Sequence, residues 1–173
     1  LLSYILNMNE QMKDVTFITI PKNRKIGSLT LKDNIPLPIL FSKGQKPEDI
    51  DFNSIVAGLI KVAAWDDGNV NFPYYRDILL QLQPNTVEEL NIAAIAKSNK
   101  KEYDFALELM LAVNHISQVP ESYVNLAVLY AQMAVDLHKQ RKDVEADMYD
   151  DRILSVLEEC ISRHPSYSGA YSE

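Results

Sequence analysis

Two short stretches decide the fold: Leu90-Asn-Ile-Ala-Ala-Ile-Ala96 and Val124-Asn-Leu-Ala-Val-Leu-Tyr130. The Asn-Ile-Ala of the first recurs 34 residues later as the Asn-Leu-Ala of the second. Each copy opens a run of apolar residues at helical spacing, and a second run of the same kind follows it. This period predicts stacked pairs of antiparallel helices, because one pair cannot bury its apolar face alone.

The composition is that of a globular protein with an acidic surface. The 173 residues are 47% hydrophobic and 24% charged, which argues against disorder. The formal net charge of -7 disfavours nucleic acid as a partner, since phosphate binding requires a basic stripe. The one basic run, Lys22 to Lys25, reads as a solvated hairpin turn. Cys160 is the single cysteine, so an internal disulfide is excluded.

The sequence does not define the compartment. No apolar stretch approaches the roughly 20 residues that a membrane helix needs, so we expect no membrane span. Cytoplasmic is the default location. A periplasmic or membrane-anchored location stays open, because a signal or anchor segment can precede Leu1. The abundance of Ile, Lys and Asn hints at a bacterial source.

The predicted fold is mainly α: a small N-terminal β-hairpin element over residues 1–46, followed by a helix-pair solenoid over residues 47–173. The boundary is a polar stretch that contains Gly44 and Pro47. Prolines restrict the last part of the N-terminal element to a sheet edge or a strap. In order, we expect a helix over 1–13, strands over 14–20 and 26–31, and an extended segment over 35–41.

Local signals mark several helix boundaries. Asp51 is a suitable N-cap for the first helix of the solenoid, and Thr86 with Glu89 forms a capping-box pattern for a later one. The third helix pair has about fourteen extra residues, Val135 to Met148. We interpret them as a lengthened first helix followed by an acidic turn.

Residues 85–173 resemble the tetratricopeptide repeat family, and residues 51–84 resemble it more weakly. The family pattern of a large residue, Asn-Leu-small and an aromatic is matched from Tyr123 to Tyr130, and its inter-repeat link from Pro165 to Tyr171. Small residues in this pattern allow two helices to cross closely. The residues to which the resemblance assigns packing roles are Ala93, Ala106, Ala127, Tyr123, Tyr130, Pro165, Ala170 and Tyr171.

The resemblance also implies a concave groove that binds a peptide or helix of a partner protein. In such a groove an Asn amide can donate to and accept from a peptide backbone. A local bond to a neighbouring helix stays open as the alternative role of Asn91 and Asn125. Glu121 and Val124 stand where the chaperone-binding subfamily has basic residues, so a carboxylate clamp is not implied. The implied concave-face residues are Leu90, Asn91, Ala94, Lys97, Val124, Asn125, Val128, Ala131 and Gln132.

We find no constellation of residues that predicts catalysis, a cofactor or a metal. The chain has no Gly-rich phosphate loop, no nucleophile elbow and no zinc-protease motif. Cys160 and His164 share a helix face, but a zinc site needs two more ligands. The acidic run from Asp143 resembles a calcium loop, yet Met148 and Leu154 occupy the places that require Gly and Glu.

The sequence therefore predicts a non-catalytic scaffold or adaptor that binds another protein in its groove. The alternative is a structural subunit of a larger bacterial assembly, such as a cell-envelope machine, whose helices stack on neighbouring subunits. In neither case do we expect an enzyme, because no residues for a reaction centre are recognisable.

Overall fold

The structure is a computed structural model that describes residues 8–21, 26–32 and 34–169. It is mainly helical with one small antiparallel sheet, as predicted. Two compact units, residues 1–90 and 91–173, divide within the third long helix. The elements are β1 (Val15–Ile18), β2 (Leu37–Leu40), a 3-10 turn (Pro47–Asp49), α1 (Phe52–Trp65), α2 (Phe72–Leu82), α3 (Thr86–Asn99), α4 (Tyr103–Ser117), α5 (Pro120–Lys139), α6 (Asp143–Arg163) and α7 (Pro165–Gly169). Residues 8–12 are also helical.

Several predictions fall partly or wholly outside the described residues. The first seven positions of the predicted N-terminal helix do so, as does the predicted basic turn from Lys22 to Lys25. Ala170 and Tyr171, to which packing roles were assigned, also lie outside. Among the described helices, none combines the length and apolar composition that a membrane-spanning segment requires.

The sheet of the first unit pairs different segments from those predicted. β1 lies antiparallel to β2, with Val15 opposite Leu40 and Phe17 opposite Pro38. The expected second strand over 26–31 is not a strand, and the segment expected to be a strap takes its place. Burial explains why β2, rather than residues 26–31, pairs with β1. Leu37 and Ile39 are almost fully enclosed, whereas residues 26–31 are half-buried or exposed. Pro38 is tolerated because a two-stranded sheet leaves each strand one open edge.

Gly58 allows β2 to lie directly on α1. A Cβ atom at Gly58 would stand 2.1 Å from the carbonyl oxygen of Pro38, far inside any real contact. The residue just before this strand is held by Tyr75, whose hydroxyl donates to the carbonyl oxygen of Pro36 at 2.5 Å. The segment predicted as part of an N-terminal appendage therefore packs with α1 in the first unit.

One of the two predicted caps is present. Asp51 Oδ1 accepts from the backbone N–H of Ser54 at 2.8 Å, and Ser54 Oγ accepts from the Asp51 N–H at 3.0 Å. The capping box at Thr86 is wrong, because α3 begins at Thr86 itself and its buried hydroxyl oxygen has no hydrogen-bond partner. Glu89 instead accepts a hydrogen bond from the Gln83 amide.

The core of the second unit contains four of the eight residues with predicted packing roles. Ala106 and Ala127 are buried, as are the rings of Tyr123 and Tyr130. Tyr123 meets the imidazole of His164 edge-on, with ring centroids 6.1 Å apart, and Pro165 opens α7. A polar contact that the sequence did not suggest joins the buried ends of α4 and α5: the Asn114 amide donates to Ser122 Oγ at 3.0 Å.

The two alanines of α3 exchange their expected environments. Ala94, expected on the groove surface, is completely buried, and Ala93, expected at a close helix crossing, is only half-buried. Neighbouring helical positions are about 100° apart, so a small rotation of the helix moves one inward and the other outward.

The acidic stretch from Asp143 to Asp151 is helical rather than a turn. It forms the first half of α6, and the turn before it is limited to residues 140–142. Acidic residues suit this position because the N-terminal turn of a helix carries a partial positive charge. The extra residues of the third pair therefore lengthen both of its helices, α5 to 20 residues and α6 to 21.

Three turns of the second unit contain a residue with positive φ. These are Lys101 after α3, Gln118 after α4 and Arg141 after α5, with φ values of 59°, 54° and 58°. The left-handed conformation lets the backbone N–H groups beyond each helix end reach its last carbonyls. Glu102 N–H, for example, donates to the Lys97 carbonyl at 3.0 Å.

We expect Gly58→Ala to lower the free energy of unfolding by about 2–3 kcal/mol, because the new methyl group meets a backbone carbonyl that cannot move alone. Urea denaturation followed by the fluorescence of Trp65, the single tryptophan, measures the loss. Gly68→Ala is the matched control, since no atom lies within 4 Å of its added Cβ. An equal loss in both variants would contradict the close packing of β2 on α1.

Candidate functional site

The second unit contains an open groove between the C-terminal half of α3 and the outer face of α5, here called the α3–α5 groove. Its main part has a volume of about 510 Å³. A narrower part of about 120 Å³ continues from it and shares four lining residues, Ser98, Asn99, Val128 and Gln132. The other lining residues of the main part are Lys101, Tyr103, Ala131, Val135, Asp136 and Lys139. The narrower part adds Ile95, Met110, Asn125 and Leu129.

Exposed aliphatic side chains form the walls of the groove. Val128 and Val135 are 52% and 51% exposed, and they lie two helical turns apart on one face of α5. Ile95 on the opposite wall is 47% exposed. Apolar surface that remains open on two facing helices is typical of a surface that binds another apolar group.

Two side-chain hydrogen bonds join α5 to the helices before it, and the bonded residues are about one repeat period apart in the sequence. Ser98 Oγ on α3 donates to Gln132 Oε1 on α5 at 2.7 Å, across 34 residues. Tyr103 donates its hydroxyl hydrogen to Asp136 Oδ2 at 2.6 Å, across 33 residues. Both bonds hold equivalent parts of successive helix pairs side by side, so they fix the width of the groove.

Charges are concentrated at one end of the groove. Asp136 Oδ2 lies 3.2 Å from the ammonium of Lys101, and Oδ1 lies 3.9 Å from that of Lys139. The Tyr103 hydrogen bond, followed by that of Lys101, lowers the pKa of Asp136 below its ordinary value. Burial, reinforced by the Asp136 charge, raises the pKa of Tyr103 to about 12. Asp136 is therefore ionised and Tyr103 protonated at neutral pH.

Three of the residues expected on the concave face line the groove together: Asn125, Val128 and Gln132. Ala131, which the resemblance also placed there, lines it as well. Four of the five α5 residues predicted on the concave face are thus assembled in one place. Asn125 contributes an amide to the narrower part, next to the exposed side chain of Val128.

The remaining expected residues lie elsewhere. Asn91 Oδ1 is shielded from solvent and has no hydrogen-bond partner, and Ala94 and Leu90 are buried. Lys97 bonds to the Glu102 carboxylate at 2.6 Å, with its ammonium 5.3 Å from the centre of the Phe105 ring. Val124 is half-buried and does not line the groove.

Sequence reasoning missed the polar end of the groove. Lys101, Tyr103, Asp136 and Lys139 were not assigned any role at the site, although they form its densest set of contacts. The available signal was the spacing of 33 residues between Tyr103 and Asp136, which nearly equals the repeat. The same signal connects Ser98 with Gln132.

One cluster of side chains could in principle hold a metal ion. His138, Asp147 and Asp150 each offer a ligand atom within 4.8 Å of the others, and all three are exposed. His138 Nδ1 also bonds to Asp143 Oδ1 at 2.8 Å. This hydrogen bond, and next the one to Asp150, raises the pKa of His138. Protonation removes the lone pair that a metal would need, so these contacts favour an ion pair.

Cys160 is placed for packing rather than for reaction. Its side chain is buried, and the thiol donates a weak hydrogen bond to the carbonyl oxygen of Pro120 at 3.9 Å. Burial raises the pKa of this thiol, which disfavours the reactive thiolate. His164 is engaged elsewhere, because its Nε2 bonds to the carbonyl oxygen of Gln118 at 2.7 Å.

No protein-family model, curated protein or solved structure matches this chain. The resemblance to tetratricopeptide repeats therefore stays a prediction that depends on the residues of this chain alone.

We expect Asp136→Asn to remove a pH-dependent part of the stability. Because folding lowers the pKa of Asp136, its stabilising contribution is present above the ordinary value of 3.8 and is lost as the pH falls through the folded value. The difference in free energy of unfolding between the native protein and the variant should be constant above about pH 5 and should shrink towards pH 2. Denaturant titrations at each pH measure this difference.

Asp77→Asn is the control, since it removes an exposed carboxylate that takes no part in the groove. A difference for Asp136→Asn that does not change with pH would show that the network with Tyr103 and Lys101 contributes nothing to stability.

Proposed function

We propose that this protein is a non-catalytic interaction module that binds a segment of another protein in the α3–α5 groove. The observation that carries the proposal is the exposure of Val128, Val135 and Ile95 on facing walls of that groove. Each of them can bury further apolar area on a partner. Full burial of a side chain of this size is worth about 1.5–3 kcal/mol, and about half of that is available here because each side chain is about half exposed. The polar groups of the groove must supply the rest of the affinity.

The titration behaviour of the polar groups supports a binding role over a catalytic one. A general acid or base works best when its pKa lies near the operating pH. Tyr103 is shifted upwards to about 12 and Asp136 is shifted downwards, so both move away from neutrality. Their hydrogen bond instead holds α4 and α5 together at the end of the groove.

The resemblance to tetratricopeptide repeats gives independent support, because that family uses the corresponding surface for peptides and helices. In this chain the amides of Asn125 and Gln132 lie among the apolar lining residues. Gln132 already accepts a bond from Ser98, and its amide N–H groups remain available to donate to a peptide carbonyl.

Val128→Asp should abolish binding to peptides that recognise the groove. A carboxylate in the centre of the apolar wall would have to be desolvated by the ligand, so we expect at least tenfold weaker affinity. Phage-displayed random 12-residue peptides selected on the native protein provide the ligands, and fluorescence anisotropy measures each dissociation constant. Val144→Asp is the matched control, because Val144 is 79% exposed on α6 and does not line the groove.

Selected peptides that bind both variants as well as the native protein would refute the α3–α5 groove as the binding site.

Asn125→Ala is the subtler test, since it removes one donor and one acceptor without adding a charge. We expect it to weaken the same peptides by about threefold to tenfold, the range for a single hydrogen bond.

A second candidate is a structural subunit of a larger bacterial assembly, such as one in the cell envelope. The specific observation in its favour is an apolar edge of α6, where Leu154 and Ile161 are 61% and 51% exposed. These residues are seven positions apart and therefore lie on one face of the helix. Stacking of this face on another subunit would bury both side chains.

Light scattering distinguishes this candidate from a simple adaptor. If α6 stacks on other copies, the native chain should show a mass that rises with concentration, and Leu154→Glu with Ile161→Glu should return it to a monomer. A native chain that is monomeric at about 100 μM would remove self-assembly through this face, since stable interfaces form well below that concentration.

A further inference from the structure

We infer that the α3–α5 groove selects a peptide segment that carries an acidic residue close to apolar residues, with the acidic side chain bound by Lys101 and Lys139. This inference depends on the proposed function and adds the chemistry of the ligand. We call the ammonium groups of these two lysines the basic rim.

The exposure of the charged groups determines whether a ligand meets positive or negative charge at this end of the groove. The side chains of Lys101 and Lys139 are 69% and 71% exposed, whereas that of Asp136 is 14% exposed. Among the described residues that line the groove, Asp136 is the only acidic one, and Tyr103 already donates to it. A ligand therefore meets two accessible positive charges and one covered negative charge, although the whole chain carries a formal charge of -7.

Glu102 does not reverse this balance. Its carboxylate accepts from Lys97 at 2.6 Å, so the charge of this acid is already paired. Charges elsewhere on the protein are screened beyond a Debye length of about 8 Å at physiological salt. The local sign at the basic rim is consequently positive for a bound ligand.

The apolar and basic parts lie in a fixed order along α5. Val135 is seven residues after Val128, which corresponds to about 10 Å of helix, and Lys139 lies about 6 Å farther on. Side chains on one face of an extended chain recur about every 6.6 Å. An extended ligand that follows α5 in either direction would therefore span the two valines with about three residues and would reach Lys139 about two residues farther on.

The amides of Asn125 and Gln132 line the narrower part of the groove, where they can hydrogen-bond to the backbone of a bound segment.

The test uses a random 12-residue peptide library displayed on phage, selected on the native protein and counter-selected on Val128→Asp. We expect the groove-dependent peptides to be enriched in Asp or Glu within about two positions of an apolar residue. Groove-dependent peptides that are neutral or basic overturn the inference and leave the proposed function standing. A selection without any groove-dependent peptide overturns the proposed function itself.

The most enriched peptide then serves as a defined probe. Lys101→Gln with Lys139→Gln should weaken its binding by about fivefold to thirtyfold, the product of two exposed ion pairs, and should flatten its dependence on salt between 50 and 300 mM. Glutamine keeps most of the apolar stem, so packing in the groove changes little. The matched control is Lys43→Gln with Lys46→Gln, which removes the same charge at exposed positions that do not line the groove.

Equal affinities for the two double variants would overturn the role of the basic rim. Replacing the acidic residue of the probe by its amide should reduce affinity for the native protein but not for the Lys101, Lys139 double variant. A loss of the same size in both proteins would also overturn the inference, because the acidic residue would then be bound elsewhere.

Discussion

The groove depends on hydrogen bonds between side chains that are about one repeat apart in sequence. Ser98 with Gln132 and Tyr103 with Asp136 hold the end of one helix pair beside the next. Without these bonds, the facing valine and isoleucine side chains could close the gap and bury one another. The polar contacts therefore keep apolar side chains exposed in the groove. In most proteins, by contrast, apolar side chains are buried in the core and polar groups cover the surface.

Much of the helical part follows from spacing alone, because burial selects one face of each helix. The apolar pattern correctly indicated α4, α5 and the end of α6, and tyrosines such as Tyr123 are buried as expected. The acidic start of α6 was wrongly predicted to be a turn, because a charged segment without apolar residues at helical spacing gives no helical signal. The partial charge of a helix end stabilises such residues, and helices formed largely from exposed residues carry little periodic signal.

The sheet could not be derived from local sequence. Residues 26–31 alternate in the manner of a strand, but Leu37 and Ile39 bury more apolar area against α1, and the competition is decided by tertiary packing. For the site, four of the five α5 residues that the resemblance placed on the concave face line the groove, and Val124 does not. On α3, Ala94 is buried and Asn91 Oδ1 is shielded, because a modest rotation of a helix changes which positions are outside. The basic rim was missed because lysines in turns and at helix ends are ordinarily solvated.

The turn after α3 has a further implication. Lys101 has a left-handed backbone, as does Arg141 in the turn after α5, and neither residue is glycine. A side chain in this conformation is less favourable than glycine by about 1 kcal/mol. A glycine at either position would relax the loop, and at Lys101 it would also delete an ammonium group from the mouth of the groove. A turn redesigned with glycine for thermostability would therefore exchange a strained backbone at Lys101 for the loss of a positive charge beside Asp136.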